Sequence, residues 1–274
     1  MIPNDFITEW RQYASWTEDS QVEQDLVICR ALVEIFSLDA AAGTLAFRGG
    51  TALHKLHLPP AARYSEDIDL VQMVAGPIGP VLDAMRGVLD PWLGEPKRVF
   101  KEGRVSLGYR IVSEGPPPVP MRLKVEVNSR EHFTVFGLRE HPFAVESRWY
   151  AGSARIQTFH RDELLGTKLR ALYQRKKGRD MFDLWAAQAD GKVASTRVVH
   201  CFLQYLDQSG LRVSRAEFEA NLAAKLADPA FTQDVAPLLG PGAAWDLEDA
   251  ARYVRRALLA RLPGSPWNGA DSER

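Results

Sequence analysis

Phe47 to Leu70 reads FRGGTALHKLHLPPAARYSEDIDL, and this stretch leaves the chain little choice of local architecture. A short strand candidate, LAFR, runs into Gly49-Gly50. A brief helix, TALHKLHL, follows, with Thr51 as its N-cap or first-turn residue and Pro59-Pro60 as its stop. Ile68–Val74 then reads as a second strand, entered through the polar Ser65-Glu66-Asp67. Side chains alternate faces along a strand, so Asp67 and Asp69 point the same way and Ile68 points the other. Two carboxylates that close resist joint ionisation, and a bound divalent cation relieves the repulsion. Hard oxygen ligands suit magnesium, which also prefers to bridge triphosphate oxygens. Glycines let a backbone approach a ligand closely, and the start of a helix offers free N–H groups to phosphate. A glycine pair alone is usually a turn, and a lone DxD is common on solvated surfaces. The strand–turn–helix–strand order is what joins them into a phosphate and metal reading.

Around this stretch the pattern is mixed. Residues 21–38 have helical apolar spacing, with Leu26, Cys29, Leu32, Val33 and Phe36 able to share a face. Residues 77–93 read as a helix with an early proline, and 104–112, 121–128 and 154–159 read as strands. The link EGPPPVP is a loop. After about residue 160 the chain turns helical, over 161–177, 179–190, 195–208, 214–228 and 246–261, with Gly-Pro punctuation at 240–242. The expected class is α+β: a mixed sheet with flanking helices over 1–160, a helical domain over 161–262 closing a cleft, and a flexible tail over 263–274.

Composition narrows the function. With 274 residues, 46% hydrophobic and 25% charged, the chain has the balance of a soluble globular protein. A formal net charge of -1 gives no whole-molecule attraction to nucleic acid, so a polyanion site must come from a local cluster. Cys29 and Cys201 lie far apart with no CxxC, which argues against a zinc ribbon or a disulfide framework. MIPNDFITEW carries no leader pattern, and no segment approaches the roughly 20 apolar residues of a membrane span. The expected setting is the cytoplasm.

Two further segments carry polar residues in informative places. In MRLKVEVN, Arg122, Lys124, Glu126 and Asn128 share one strand face while Val125 and Val127 face the core. Glu126 would complete a three-carboxylate metal set with Asp67 and Asp69 if its strand lies beside theirs. The alternative is a solvent-facing polar stripe. Residues 161–179 hold seven basic and two acidic side chains, the strongest basic patch in the chain. Lys168 is flanked there by leucines and needs an anion or must snorkel, a triphosphate being one candidate. Asp180 would orient Lys168 or Arg179, assist an attacking hydroxyl, or cap the helix that starts there. His54 and His57 show no metal-ligand spacing, and Ser65 is a turn residue rather than a nucleophile.

FRGGTALHKL, RYSEDIDL, KVEVN and ELLGTKLRALYQRKKGRDMFDLW, in that order, resemble the AbiEii/AbiGii toxin family of nucleotidyltransferases, which includes abortive-infection toxins and the related MenT toxins of mycobacteria. The resemblance covers roughly residues 25–190. It implies a DNA polymerase β-like nucleotidyltransferase fold, use of an NTP with magnesium, addition of nucleotides to an RNA such as the 3′ end of tRNA, and a cognate antitoxin. By the same resemblance Gly49 and Gly50, with Arg48 and Thr51, would hold the nucleotide. Asp67 and Asp69 would hold the metal, Lys168 the triphosphate, and Asp180 would be the acidic residue of the late motif. Glu126 stands where the family often has Asp. Arg48 or Arg63 would help neutralise the leaving pyrophosphate. Two rival readings keep the same residues: transfer of a nucleotide or phosphate to a protein such as the antitoxin or to a small molecule, and a non-catalytic nucleotide-binding module.

Overall fold

The computed structural model describes residues 2–14, 16–115 and 117–269. Contacts divide the chain into two compact units, Met1–Phe159 and His160–Arg274.

The first unit holds, in order, α1 (Asn4–Trp10), α2 (Asp19–Phe36), β1 (Leu45–Arg48), α3 (Gly49–Ala52), β2 (Asp67–Gln72), α4 (Gly79–Leu93), β3 (Lys97–Lys101), β4 (Arg104–Val112), β5 (Pro120–Asn128), β6 (Leu138–Glu146) and β7 (Ala151–Phe159). The strands form one mixed sheet in the order β3-β4-β5-β2-β1-β7-β6. β2 runs parallel to β5 and antiparallel to β1, and β1 runs parallel to β7.

Strand alternation gives this sheet two unlike faces. Ile68, Leu70, Val105, Leu107, Tyr109, Leu123, Val125 and Val127 are buried. The residues between them, including Asp67, Asp69, Lys124 and Glu126, are half-buried. Helix α2 packs against β2, β5, β6 and β7 and is buried on more than one side. That depth explains its internal acid: Asp25 accepts from Trp10 Nε1 at 3.0 Å and pairs with Lys55 Nζ at 2.6 Å.

Two strands lie outside those read from the sequence, and they are the two edges of the sheet, β3 and β6. The helix after the glycines begins two residues earlier than its sequence pattern suggests. Arg48 is its N-cap, and Leu53–His57 continue it as a wide π turn. Thr51 is therefore a first-turn residue and not the cap.

The second unit comprises α5 (Arg161–Gln174), α6 (Gly178–Ala187), α7 (Ser195–Asp207), α8 (Arg215–Leu226), α9 (Pro229–Thr232) and α10 (Leu247–Tyr253), the last continued by a π turn over Val254–Leu258. Helices α5 and α7 cross closely at Gly166, where a Cβ would meet Cys201 Cβ at 2.5 Å. Buried Lys225 ties α8 to the end of α5 by donating to the carbonyls of Leu172 and Tyr173, which are free acceptors at a helix C-terminus. From Pro263 onward, residues 263–269 are anchored to α8. Arg215 donates its backbone N–H to Pro263 O at 2.8 Å, and Trp267 donates its own to Glu219 Oε2 at 2.8 Å. Residues 270–274 of the tail lie outside the described residues.

Candidate active site

Strand register assembles the polar face of the first unit row by row. Across one row lie Arg48, Asp69, Glu126 and Ser106, contributed by β1, β2, β5 and β4. The next row sets Asp67 beside Lys124 and Gly108, and a third sets Arg122 beside Arg110. The sheet thus sets Glu126 beside Asp69 in register, with the Glu126 carboxylate paired to Lys124 at 2.7 Å.

The glycine turn abuts the same acids. Gly49 has φ +84°, and a Cβ there would overlap Asp69 Oδ2 and lie 3.0 Å from Asp69 Cγ. Only glycine takes this backbone without strain, and only glycine leaves room for the carboxylate. Gly50 plays a similar part toward Arg63, whose Nη2 would lie 2.5 Å from an added Cβ. Arg63 is buried, and its Nη1 donates to Tyr64 O at 2.9 Å. A guanidinium is therefore fixed against the glycine pair, which the sequence shows only as an arginine two residues before the DxD approach. Thr51 Oγ1 closes the arrangement through Asp67 O at 2.6 Å and Ser65 Oγ at 2.8 Å, tying the first turn of the helix to the start of β2.

The electrostatics follow from this crowding. Burial, and then the neighbouring charge of Asp69, push the Asp67 carboxyl up to about 6, although Lys124 and Arg122 pull it down. Glu126 behaves in the opposite way. Burial works to raise it, yet the bond from Lys124 at 2.7 Å, with Arg104 and Ser106 behind it, holds it below the usual carboxylate range. Burial opposes the charge of Lys124 too, but Glu126, Asp67 and Asp69 together raise it.

Arg48 is engaged by Glu131, which also accepts from Asn128 Nδ2 at 3.3 Å. Glu131 carries no signal in the local sequence; it follows β5 in a loop that the fold brings to Arg48. His54 is buried beside the Lys55–Asp25 pair and is not a solvent-facing residue.

Lys168 and Asp180 belong to the second unit, where α5 and α6 bring them together. Lys168 Nζ lies 2.7 Å from Asp183 Oδ2 and 3.3 Å from Asp180 Oδ1, and both acids are fully buried. Asp180 also takes a forked pair from Arg175, at 2.6 and 2.7 Å. The anion that the buried lysine requires is thus present within the unit. Asp180 orients Lys168 and Arg175; Arg179 turns to Asp234, and the N-cap of α6 is Lys177.

Residues 30–253 match the model of the AbiEii family, described as the nucleotidyl transferase AbiEii toxin of type IV toxin–antitoxin systems. The chain belongs to this AbiEii nucleotidyltransferase toxin family. Solved structures agree on the fold of such a toxin. MenT4, a nucleotidyltransferase toxin from Mycobacterium tuberculosis, is similar with a TM-score of 0.62 at 16% identity, over 96% of this chain and 91% of that one. A Helicobacter pylori protein assigned as a nucleotidyltransferase gives a TM-score of 0.52 at 16% identity, over 88% of this chain and 93% of that one. No curated protein sequence matches. Membership makes this AbiEii chain an enzyme that uses a nucleotide and is paired with an antitoxin. Among its described residues no helix is long and apolar enough to cross a membrane.

Proposed function

We propose that this AbiEii toxin transfers a nucleoside monophosphate from an NTP to an RNA, the 3′ end of a tRNA, releasing pyrophosphate in the cytoplasm under the restraint of its cognate antitoxin. The observation that carries this reading is the packing of Asp69 against Gly49, with Asp67 beside it on β2 and Arg63 buried against Gly50.

The donor set fits magnesium. Asp67 and Asp69 offer hard oxygens from one strand face, and Asp67 is held at about 6 by burial and by Asp69, a strain that a dication relieves. Among the described residues no group of three His, Cys, Asp or Glu side chains stands ready to hold a metal. The two carboxylates of Asp67 and Asp69 match the one or two that magnesium takes while it keeps waters and substrate phosphates as its other ligands. Glu126 would join as a third ligand by exchanging its Lys124 partner. When bound, magnesium would supply charge stabilisation to the phosphoryl oxygens.

The chain's own groups do the rest. Gly49 and Gly50 let the backbone approach the triphosphate, and Thr51 fixes that turn to Asp67. Arg63 provides a preset positive charge that needs no reorganisation as pyrophosphate leaves. Arg48, held by Glu131, borders the same row. Lys168 and Asp180, which the family resemblance assigns to the triphosphate and the late motif, pair with each other inside the second unit, so any part they take in turnover is carried from there.

Purified protein incubated with magnesium, total tRNA and each NTP labelled on the α-phosphate tests the proposal. Label at the RNA 3′ end, with none from γ-labelled NTP, is expected. Label on protein, or transfer of the γ-phosphate, would contradict it.

A further inference from the structure

Arg110 and Arg122 face each other directly across β4 and β5, on the sheet face that carries Asp67 and Lys124. Like charges placed opposite in an antiparallel pair destabilise it. Both side chains are exposed, and among the described residues neither guanidinium has a hydrogen bond or an ion pair. Closer to the acids the basic residues are paired, Lys124 with Glu126 and Arg48 with Glu131, while Lys97 and Lys101 of β3 add further exposed positive charge to this face. The Arg122 side chain lies over Gly108, where an added Cβ would be in ordinary contact with Arg122 Nε at 3.6 Å.

The two arginines line a groove of about 890 Å³ whose wall also includes Asp67, Lys124, Gln24 and Glu66. The groove therefore runs from the acidic pair outward to the arginines. Gln24 secures its floor by donating to Arg122 O at 2.9 Å.

Direction decides which anion the arginines meet. In phosphoryl transfer the attacking and leaving oxygens lie roughly in line. The glycine turn flanks Asp69 from the β1 side, whereas Arg110 and Arg122 lie beyond Asp67 on the β5 and β4 side. A triphosphate seated at the turn would send pyrophosphate away from the groove, and the hydroxyl must then arrive through it. A guanidinium fork matches a phosphate in two-point geometry, so two of them suit successive phosphates of one strand.

We propose that the Arg110–Arg122 pair is a binding site for the phosphodiester backbone of the RNA acceptor, just upstream of its reacting end. The proposal rests on the transfer reading above and adds to it the path by which the acceptor enters.

The test uses the full chain without NTP and a fluorescently labelled single-stranded oligoribonucleotide, read by anisotropy across a salt series. Arg110→Ala/Arg122→Ala should weaken binding at least about tenfold and flatten the log–log salt slope by roughly 1 to 1.5, the loss of two phosphate contacts. Arg110→Lys/Arg122→Lys should keep the slope and recover part of the affinity. Thermal stability of the alanine variant should equal or exceed that of the parent, because a like-charge pair is removed. Unchanged affinity and slope in the alanine variant would overturn the proposal, as would an absence of RNA binding by the parent. Arginine-dependent binding of polyglutamate in place of RNA would also overturn it and mark a protein-binding face. Transfer of α-label is followed in parallel. Its absence, with arginine-dependent RNA binding intact, would count against nucleotide transfer while leaving the RNA site standing.

Discussion

Gly49 and Asp69 share one volume: a methyl group on Gly49 would overlap Oδ2 of Asp69, and the Gly49 backbone sits at φ +84°. Gly49→Ala therefore carries two penalties, a left-handed backbone that costs about 1–2 kcal/mol and a displaced carboxylate. Turnover should fall about a hundredfold, the scale of a misplaced reacting group. The melting temperature should drop by only a few degrees. Kinetics and thermal melts on the same preparation check both. Unimpaired turnover would mean that Asp69 need not hold the place the glycine reserves for it.

Asp67 gives a pH signature without any nucleotide. Its folded-state value of about 6 lies above the ordinary 3.8, so between those limits the native protein binds more protons than the unfolded chain. Stability from this group is fully present at low pH and is lost as pH rises from about 4 to about 6. Asp67→Asn removes that loss. The stability gained by the variant over the parent, measured in metal-free buffer, should grow across this window and stay constant above it. A difference independent of pH would show that Asp67 titrates normally.

Lys168 is predicted to be a stability residue in its own right. Its ammonium stands between Asp180 and Asp183, both fully buried. Lys168→Met leaves those acids short of a partner and should cost about 3–5 kcal/mol in denaturant unfolding of the second unit. Asp180 retains Arg175, which keeps the loss from being larger. A cost below about 1 kcal/mol would indicate that the carboxylates find water or take up protons instead.

Gly178 tests packing at the start of α6, two residues before Asp180. It opens α6, and a Cβ there would overlap the carbonyl oxygen of Phe231 and approach Val235 Cγ2 at 3.4 Å. Backbone cannot swing aside as a flexible side chain can. Gly178→Ala should cost about 1–3 kcal/mol by overpacking. Thermal unfolding reads the effect directly, and an unchanged midpoint would contradict it.

Much of the fold was legible because burial wrote it into the sequence. Strand β4 alternates through Val105, Leu107, Tyr109 and Ile111, and β5 through Leu123, Val125 and Val127. Both strands show period two in their residues. The edge strands escape for the converse reason. All five residues of β3 are exposed, and β6 holds Pro142, which an edge tolerates. Neither has an apolar rhythm to read.

The site was legible in part. Asp67, Asp69 and the glycine pair announce themselves by local spacing. The pairing of Arg48 with Glu131 and of Lys168 with Asp183 does not, because each requires knowing which residues the fold sets side by side. Lys168 shows the limit well. Its leucine neighbours reveal that it needs an anion, and only the packing of α5 on α6 reveals that Asp180 and Asp183 supply one within the unit. Arg110 and Arg122 are 12 positions apart and become a pair through strand register alone.

The most direct test of the account compares the parent with Asp69→Ala in transfer of α-labelled nucleotide to tRNA, with circular dichroism and a thermal melt showing that the variant is folded. The account predicts a fall of at least about a thousandfold, the scale of losing a principal electrostatic contributor to the transition state. Near-parental transfer by folded Asp69→Ala would contradict it.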